Sequence, residues 1–276
     1  MADWILTGAS RGIGRALALT LAERRPDVRL VLVARDREAL ADVAQAVNQR
    51  GGQALIEAGD LSNLSQASAL GRRLATRVQP GALLLHNAGI WPARRELTTE
   101  GLERAFVVNH LGPLALQEGL LEAGRLARVL VVSAGLIVKG RFDPDRTPTG
   151  ADFSGLRTYC TTKLCFALAL RDVAAEHPEL DVLVTHPGVV RTELGSRSGP
   201  LGVLLGLAKR FWEAPETCAA RLERILARER WSSPGEARWS VEEQVQPWPT
   251  VTEDVALRSA VREVSRNLLR QHVSAV

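Results

Sequence analysis

Cysteine, long apolar runs and blocks of like charge are all scarce in this chain of 276 residues. Cys160, Cys165 and Cys218 are odd in number and lack zinc-type spacing. We therefore expect no disulfide framework, no metal site and a reducing, cytoplasmic compartment. The apolar runs are shorter than a membrane span. We also expect no signal peptide, because the first turn-like glycine already comes at Gly8.

The charge balance is mildly basic, with a net charge of +4 and a pI near 9.4. The arginines alternate with acidic residues along helical stretches such as 35–50, as on a solvated helix face. A nucleic-acid interface would instead concentrate basic residues on one face. We therefore expect a small-molecule substrate and no nucleic-acid partner.

Tyrosine occurs only once, as Tyr159, and Lys163, one of three lysines, lies four residues further along. On a helix, residues four apart share a face, so the ammonium would lie beside the phenol. A cation within about 4–6 Å lowers the pKa of a phenol from about 10, which makes it a proton donor and acceptor usable near neutral pH. The pair alone fits equally well a packed helix tyrosine beside a solvated lysine.

Six short apolar runs, most of them rich in β-branched residues, follow one another along the first two thirds of the chain. They are apolar almost throughout, as expected for strands buried on both faces of a parallel sheet, and helical patterns separate them. This alternation predicts an α/β fold, a single Rossmann domain over 1–276 with a doubly wound parallel sheet and helices on both faces. The predicted strands are 4–6, 28–34, 53–58, 82–86, 128–133 and 181–186.

The segment 192–215 interrupts this alternation. Within it, residues 199–212 are apolar and punctuated by glycine, which fits either a helix packed on the sheet edge or a lid over a lipophilic pocket. We predict a substrate lid here and a lipophilic substrate. Beyond it we expect a helix from Pro215, a tryptophan-rich stretch and a final amphipathic helix over 252–270.

A glycine-rich turn, TGASRGIG over residues 7–14, follows the first predicted strand and opens the first helix. Glycine permits a tight turn and the close approach of a pyrophosphate, and the helix N-terminus supplies amides and a partial positive charge. The spacing differs from the standard G-x-G-x-x-G, so a purely structural turn is the alternative. The strand–turn–helix setting favours dinucleotide binding.

The end of the second strand indicates which dinucleotide binds. An acid there would hold the 2′-hydroxyl of the adenosine ribose, but the strand runs into Arg35, and Arg11 lies inside the glycine turn. Two guanidiniums favour a 2′-phosphate, so we predict NADP(H) as the cofactor. NAD(H) is the alternative, because Asp36 follows Arg35.

Five segments together resemble the short-chain dehydrogenase/reductase family, with matching order and spacing over the whole chain. Within that family, VARD (33–36), YCTTKL (159–164) and HPGVVRTEL (186–194) are most similar to the NADP-dependent retinol dehydrogenase branch. The five segments are TGASRGIG (7–14), HNAG (86–89), Asn109 within VVNHLG, the Tyr159 and Lys163 pair, and HPGVVRTEL.

The resemblance implies an oxidoreductase that interconverts a carbonyl and an alcohol. Tyr159 would be the general acid for carbonyl reduction. Lys163 would bind the nicotinamide ribose and lower the Tyr159 pKa, and Asn109 would hold a water that relays protons from Lys163 to solvent. The implied cofactor contacts are Gly8, Ser10, Arg11, Gly12, Ile13 and Gly14 at the phosphates and adenosine, Asp60 and Leu61 at the adenine, Asn87, Ala88 and Gly89 at the adenine ribose, and Pro187, Gly188, Val189 and Thr192 at the nicotinamide.

The family places a serine at the end of the fifth strand, where it holds the substrate oxygen together with the tyrosine. Here the corresponding pair reads Ser133-Ala134, and a gapless register puts Ala134 at the catalytic position. Adjacent strand residues point to opposite faces, so Ser133 can serve only if the strand end slips or bulges. We keep Ser133 as the candidate catalytic serine, with a water, the Gly135 amide or a substrate group as alternatives.

The sequence leaves open whether the protein is catalytic and how many copies associate. Ala134 also fits a non-catalytic NADP-binding sensor or scaffold that kept the fold. The family tends to form dimers or tetramers through the helices that carry Asn109 and Tyr159, although divergent members are monomeric. His86 and His110 are interpreted as packed residues without a direct catalytic role.

Overall fold

The fold is built on one sheet of eight strands in a computed structural model, which describes residues 1–191 and 212–273. Seven strands are parallel in the order β3-β2-β1-β4-β5-β6-β7, and β8 closes the edge antiparallel to β7. This doubly wound order confirms the predicted Rossmann fold. The strands are β1 Ala2–Thr7, β2 Val28–Ala34, β3 Gln53–Ala58, β4 Ala82–His86, β5 Leu126–Val132, β6 Asp181–His186, β7 Ala237–Val241 and β8 Gln244–Gln246.

Helices cover both faces of the sheet. They are α1 Gly12–Arg24, α2 Arg37–Gln49, α3 Leu64–Ala75, α4 Arg104–Phe106, α5 Gly112–Glu122, α6 Gly155–Glu176, α7 Pro215–Leu226 and α8 Val255–His272. A π-helical turn, Val107–Leu111, joins α4 to α5, and 3₁₀ turns follow β5 at Gly135–Lys139 and precede α8 at Thr250–Glu253.

Successive strand residues enter two separate cores, which explains why the strands are apolar throughout. Ile5 and Val31 pack on the side of α3, α5 and α6, whereas Leu6 and Leu32 pack on the side of α1 and α7. A strand buried on both faces needs an apolar residue at every position. The pattern in the sequence therefore predicted both the strands and their depth.

The β7–β8 hairpin is an element that the sequence did not predict as strands. Its two-residue turn is Glu242-Glu243, and Glu242 has a φ of 54°, in the left-handed region that few non-glycine residues adopt. Arg224 donates two hydrogen bonds to the Glu243 carboxylate, at 2.5 and 3.0 Å. The turn thus depends on a long-range contact instead of a glycine.

The C-terminal helix α8 packs against α6. His110 Nε2 lies 2.7 Å from Ser265 Oγ in the buried interface, and Arg258 Nε donates to Asp172 Oδ1 at 2.6 Å. Helix α8 thus lies against α6, one of the helices through which the family tends to associate. The expected homodimer or homotetramer stays a prediction. In the part of the chain described, no helix combines the length and apolar content that a membrane span requires.

Candidate active site

The glycine turn, residues 7–14, is joined to the end of β4 by hydrogen bonds. Thr7 Oγ1 accepts from the backbone N–H groups of Asn87 at 3.0 Å and Ala88 at 3.1 Å. Asn87 Nδ2 donates to the carbonyls of Thr7 at 2.9 Å and Gly8 at 3.2 Å. The structure thus brings two of the predicted cofactor segments together. Thr7 is a supporting residue that the sequence reasoning missed.

Two glycines of this turn are required by close backbone approach. Gly8 has a φ of +68°, and a Cβ on Gly14 would lie 2.2 Å from the Gly8 carbonyl oxygen. Any side chain at Gly14 would force the turn apart.

Helix α1 begins at Gly12 with features that suit an anion. Within the described residues, its N-cap Arg11 makes no side-chain cap hydrogen bond, and its first turn carries no acid. The amides and partial positive charge of this N-terminus therefore have no acidic side chain in the first turn of the helix to offset them. These features fit the pyrophosphate of a dinucleotide, with Ser10 and Ile13 flanking the same turn.

The predicted adenosine-side residues lie at the neighbouring ends of β2 and β3. Arg35 is exposed, whereas the Asp36 carboxylate accepts from Ala39 N at 3.0 Å as the N-cap of α2. Asp60 Oδ1 accepts from Ser62 N at 2.9 Å, and Leu61 is buried. The cationic group at the end of β2 thus faces solvent while the nearby acid is used by a helix.

Tyr159 and Lys163 lie one turn apart on α6, and each is only 6% exposed. Lys163 Nζ donates to the Val132 carbonyl at 2.9 Å. Gly89 is so close that a Cβ there would lie 3.2 Å from Nζ. The lysine is therefore bonded to the end of β5 and lies beside the HNAG turn.

Burial controls the protonation of both groups. It raises the pKa of Tyr159 to about 12, with neighbouring Cys160 as a smaller cause, and lowers the pKa of Lys163 to about 8. Burial sets the net direction of the Tyr159 shift, and the expected lowering of its pKa by Lys163 stays a prediction. The ammonium bonds to the Val132 carbonyl, and loss of solvent around the phenolate outweighs its attraction.

Asn109 lies in the π-helical turn, a feature often found at functional sites. Its Oδ1 accepts from Ile90 N at 2.8 Å, and its Nδ2 donates to Ile90 O at 2.9 Å and to Thr162 Oγ1 at 3.0 Å. These bonds clamp the chain just before Trp91 to α6. Because they occupy the side-chain amide, the water relay through Asn109 stays a prediction.

The Tyr159 cluster is a small buried group that surrounds the phenol. Ala134, Tyr159 and Cys160 form it, and Trp91 and Leu136 pack against it. The Trp91 indole stacks on the phenol with ring centroids 4.7 Å apart and planes at 4°. Trp91 was missed from the sequence, where its place two residues after the HNAG turn was the only signal.

Ser133 does not belong to this cluster. Its backbone N–H extends the sheet by donating to the Thr185 carbonyl at 2.7 Å. Its hydroxyl is buried and has no hydrogen-bond partner in the described part of the chain. Ala134 therefore occupies the place beside Tyr159, as the gapless register implied, and a catalytic role for Ser133 stays a prediction.

The turn after β6 holds Pro187, Gly188 and Val189. Arg221 of α7 donates to the Pro187 carbonyl at 2.6 Å and pairs with Glu213 at 2.5 Å. Arg221 and Glu213 support this predicted nicotinamide turn and were missed, since no local motif marks them. Thr192 and nearly all of the predicted lid lie outside the described residues.

The two histidines near the site are packed, as interpreted from the sequence. His86 Nε2 lies 3.0 Å from Gln117 Oε1, and burial lowers its pKa to about 4. Burial lowers the pKa of His110 to about 3. Both imidazoles are therefore neutral near pH 7 and serve the core.

Curated relatives are similar to this chain over about two thirds of its length. A protein of Streptomyces sp. (strain C5), named provisionally as a daunorubicin C-13 ketoreductase, is 34% identical over 69% of this chain and 67% of its own length. Mouse retinol dehydrogenase 14 is 32% identical over 69% of this chain and 62% of its own length. The matched region thus spans about two thirds of these relatives.

Solved structures share the fold. A crystal structure of an uncharacterised protein from Mycobacterium paratuberculosis has a TM-score of 0.76 at 23% identity, covering 100% of this chain and 96% of that one. An alcohol dehydrogenase from the archaeon Thermococcus sibiricus, complexed with 5-hydroxy-NADP, has a TM-score of 0.63 at 24% identity, covering 90% and 100%.

The family model described as short chain dehydrogenase matches residues 4–200, which include the glycine turn, the HNAG turn, Asn109, Tyr159 and Lys163. That match, with retinol dehydrogenases among the relatives, confirms both the resemblance and its branch. The chain belongs to the short-chain dehydrogenase family, whose members are oxidoreductases that use a nicotinamide cofactor on alcohol and carbonyl groups.

Proposed function

We propose that the protein is an NADP(H)-dependent oxidoreductase that reduces a ketone or aldehyde of a lipophilic small molecule to the alcohol. The observation that carries this proposal is the buried Tyr159 side chain one helical turn from the Lys163 ammonium, beside the HNAG turn. When bound, the nicotinamide supplies the hydride. The protein supplies position and the proton.

Tyr159 is the proton donor. With a pKa of about 12, about one phenol in 10⁵ is ionised at pH 7, so the hydroxyl carries its proton when a carbonyl arrives. Alcohol oxidation would need the phenolate as base, which burial disfavours. The same residue would therefore act as the acid in carbonyl reduction and as the base in the reverse reaction.

Lys163 holds a positive charge inside the site. With a pKa of about 8, about 90% of the side chain is protonated at pH 7. Its N–H groups beyond the one given to Val132 can bind a ribose hydroxyl. The same charge would stabilise the tyrosinate that remains after proton transfer.

The residues at the end of β2 support NADP(H) over NAD(H). Arg35 is exposed there and makes no ion pair within residues 1–191 and 212–273. Asp36, which raised the alternative, caps α2 and is thereby occupied. A guanidinium without an acidic neighbour free to bind ribose suits a 2′-phosphate.

Apolar side chains near the carboxyl ends of β5 and β6 support a lipophilic substrate. Val138, Leu156 and Val189 are 56%, 44% and 56% exposed. Exposed apolar surface beside a site often marks the contact with an apolar ligand. The relatives named as a ketoreductase and as retinol dehydrogenases support the same class of chemistry.

A second candidate function is supported by Ala134. A protein that binds NADP(H) without turnover, as a sensor or scaffold, needs no donor at the serine position. The two candidates differ in a single assay. Purified protein is incubated with NADPH, and in parallel with NADH, and with a panel of lipophilic ketones and aldehydes, while loss of reduced cofactor is followed.

We expect turnover of at least one carbonyl compound of the panel, with a higher kcat/KM for NADPH than for NADH. Saturable NADPH binding with no turnover across the panel would favour the sensor. A preference for NADH would contradict the proposed cofactor and leave the carbonyl chemistry standing.

A further inference from the structure

The Tyr159 cluster lacks one hydrogen-bond donor and contains another that has no partner. Ala134 offers no hydroxyl to a substrate oxygen, whereas the indole N–H of Trp91 lies in the same cluster. On the basis of the proposed function, we propose that Trp91 is a catalytic residue. Its indole N–H would hold the substrate carbonyl oxygen together with the Tyr159 hydroxyl, in place of a serine at position 134.

The first observation is the unpaired donor. Trp91 Nε1 is buried and has no hydrogen-bond partner in the part of the chain that the structure describes. Trp231 and Trp248, by contrast, donate their indole N–H groups to the carbonyls of Ile225 at 2.7 Å and Ala237 at 3.0 Å. Buried donors without acceptors are destabilising and rare, so this one indicates an acceptor from outside the chain.

The second observation is the placement of the indole. It lies parallel to the Tyr159 ring at a centroid distance of 4.7 Å and packs on the cluster that contains Ala134. The Tyr159 hydroxyl also makes no hydrogen bond among the described residues, and it is not one of their fully buried unpaired atoms. The Tyr159 hydroxyl and the shielded Trp91 N–H are thus two donors without partners in the described structure, at the cluster that contains Ala134.

The third observation is the support behind the indole. Asn109 fixes both the N–H and the carbonyl of Ile90, the residue before Trp91. A donor held on a fixed backbone is preorganised, which is what stabilisation of a developing oxyanion requires. The Trp91 side chain is only half-buried, and the proposal requires its shielded N–H to turn toward an entering carbonyl.

The chemistry needs no proton from the indole. As the carbonyl carbon accepts the hydride, its oxygen gains negative charge and takes the proton of the Tyr159 hydroxyl. The indole is a donor only, and it keeps its proton throughout. Trp91 would therefore stabilise the charge that Tyr159 neutralises.

The test removes the N–H and then restores a hydroxyl. Trp91→Phe keeps a ring that can stack on Tyr159 but has no donor. We expect kcat for carbonyl reduction to fall by about 10², with KM and NADPH affinity little changed. Ala134→Ser supplies the family's donor, so in that background Trp91→Phe should cost less than about fivefold, because the two donors replace each other.

Trp248→Phe is the matched control, since it removes an indole N–H that is bonded to the Ala237 carbonyl, away from Tyr159. We expect it to lower the melting temperature and leave kcat within about twofold. A wild-type or faster rate for Trp91→Phe would overturn the proposal. A faster rate would show that the indole obstructs the substrate. An equal loss in both backgrounds would overturn it too. No turnover by the wild type or by Ala134→Ser, with NADPH still bound, would instead reject the proposed function itself.

Discussion

The glycine turn and the Tyr159 cluster hold their key groups in different ways. In the glycine turn, backbone lies against backbone, and a single methyl on Gly14 would meet the Gly8 carbonyl at 2.2 Å. In the Tyr159 cluster, side chains from three distant segments enclose a phenol and raise its pKa to about 12. The turn is built on sterics, whereas the cluster is built on desolvation.

This difference separates binding from rate. A change in the glycine turn should alter how tightly the cofactor binds, because it moves the backbone that would meet the phosphates. A change in the Tyr159 cluster should alter the rate of reduction, because it moves proton donors. Variants in each region can therefore test whether cofactor binding and rate change independently.

The largest effect on cofactor binding is expected from Gly14→Ala. The added methyl has no room against the Gly8 carbonyl, so the turn must shift and NADPH affinity should fall by about 100-fold. Gly71→Ala is the matched control, because its methyl would meet the Leu116 carbonyl at 2.1 Å, between α3 and α5. Both variants should melt earlier, but folded Gly71→Ala should bind NADPH normally. Equal NADPH affinity for the two, measured by fluorescence titration, would contradict the assignment of the turn.

An intermediate effect is expected from Arg35→Ala. Loss of one charged hydrogen bond to a 2′-phosphate should weaken NADPH binding by about tenfold and leave NADH binding within about twofold. Arg50→Ala is the control, since Arg50 lies past the other end of α2 and pairs with Glu23 at 3.0 Å. Titration of each variant with both cofactors gives the comparison. A parallel loss for NADH would show that Arg35 does not read the phosphate.

The variant Lys163→Met tests the stability cost of the buried charge. Burial lowers the Lys163 pKa from 10.5 to about 8, which costs about 3 kcal/mol of folding free energy while the group is charged. Loss of the bond to the Val132 carbonyl returns about 1 kcal/mol of that gain. The variant should therefore melt about 4 °C higher at pH 7.

The stability advantage of Lys163→Met should depend on pH. A lysine whose pKa is lowered by folding destabilises the protein fully below pH 8, and the cost fades as the pH rises toward 10.5. The advantage of Lys163→Met should thus shrink between pH 7 and pH 10. Melting curves at both values check it, and an advantage that grows with pH would contradict the buried charge.

Most of the fold could be predicted because its information is local. Strands buried on both faces, such as 28–34 and 82–86, are recognisable without knowledge of their neighbours. The β7–β8 hairpin could not be predicted, because Glu242 adopts a left-handed φ in a turn without glycine or asparagine. Its support comes from Arg224, which lies on another element.

The candidate site, like the fold, was predictable where its residues form local motifs and not where they depend on contacts between elements. Motif spacing identified Tyr159, Lys163 and the glycine turn, since each is a local pattern on one element. The stack of Trp91 on Tyr159 and the bond from Lys163 to the Val132 carbonyl depend on how β4, β5 and α6 meet. The burial that raises the Tyr159 pKa also depends on that packing, so the i, i+4 spacing alone could not predict it.

The most direct test of the account is Tyr159→Phe, measured for both binding and turnover in one preparation. The phenyl ring can keep the stack on Trp91 while the proton donor is lost. We expect NADPH affinity within about twofold of wild type and a kcat for carbonyl reduction lower by about 10²–10⁴. Carbonyl reduction at the wild-type rate by Tyr159→Phe would contradict it.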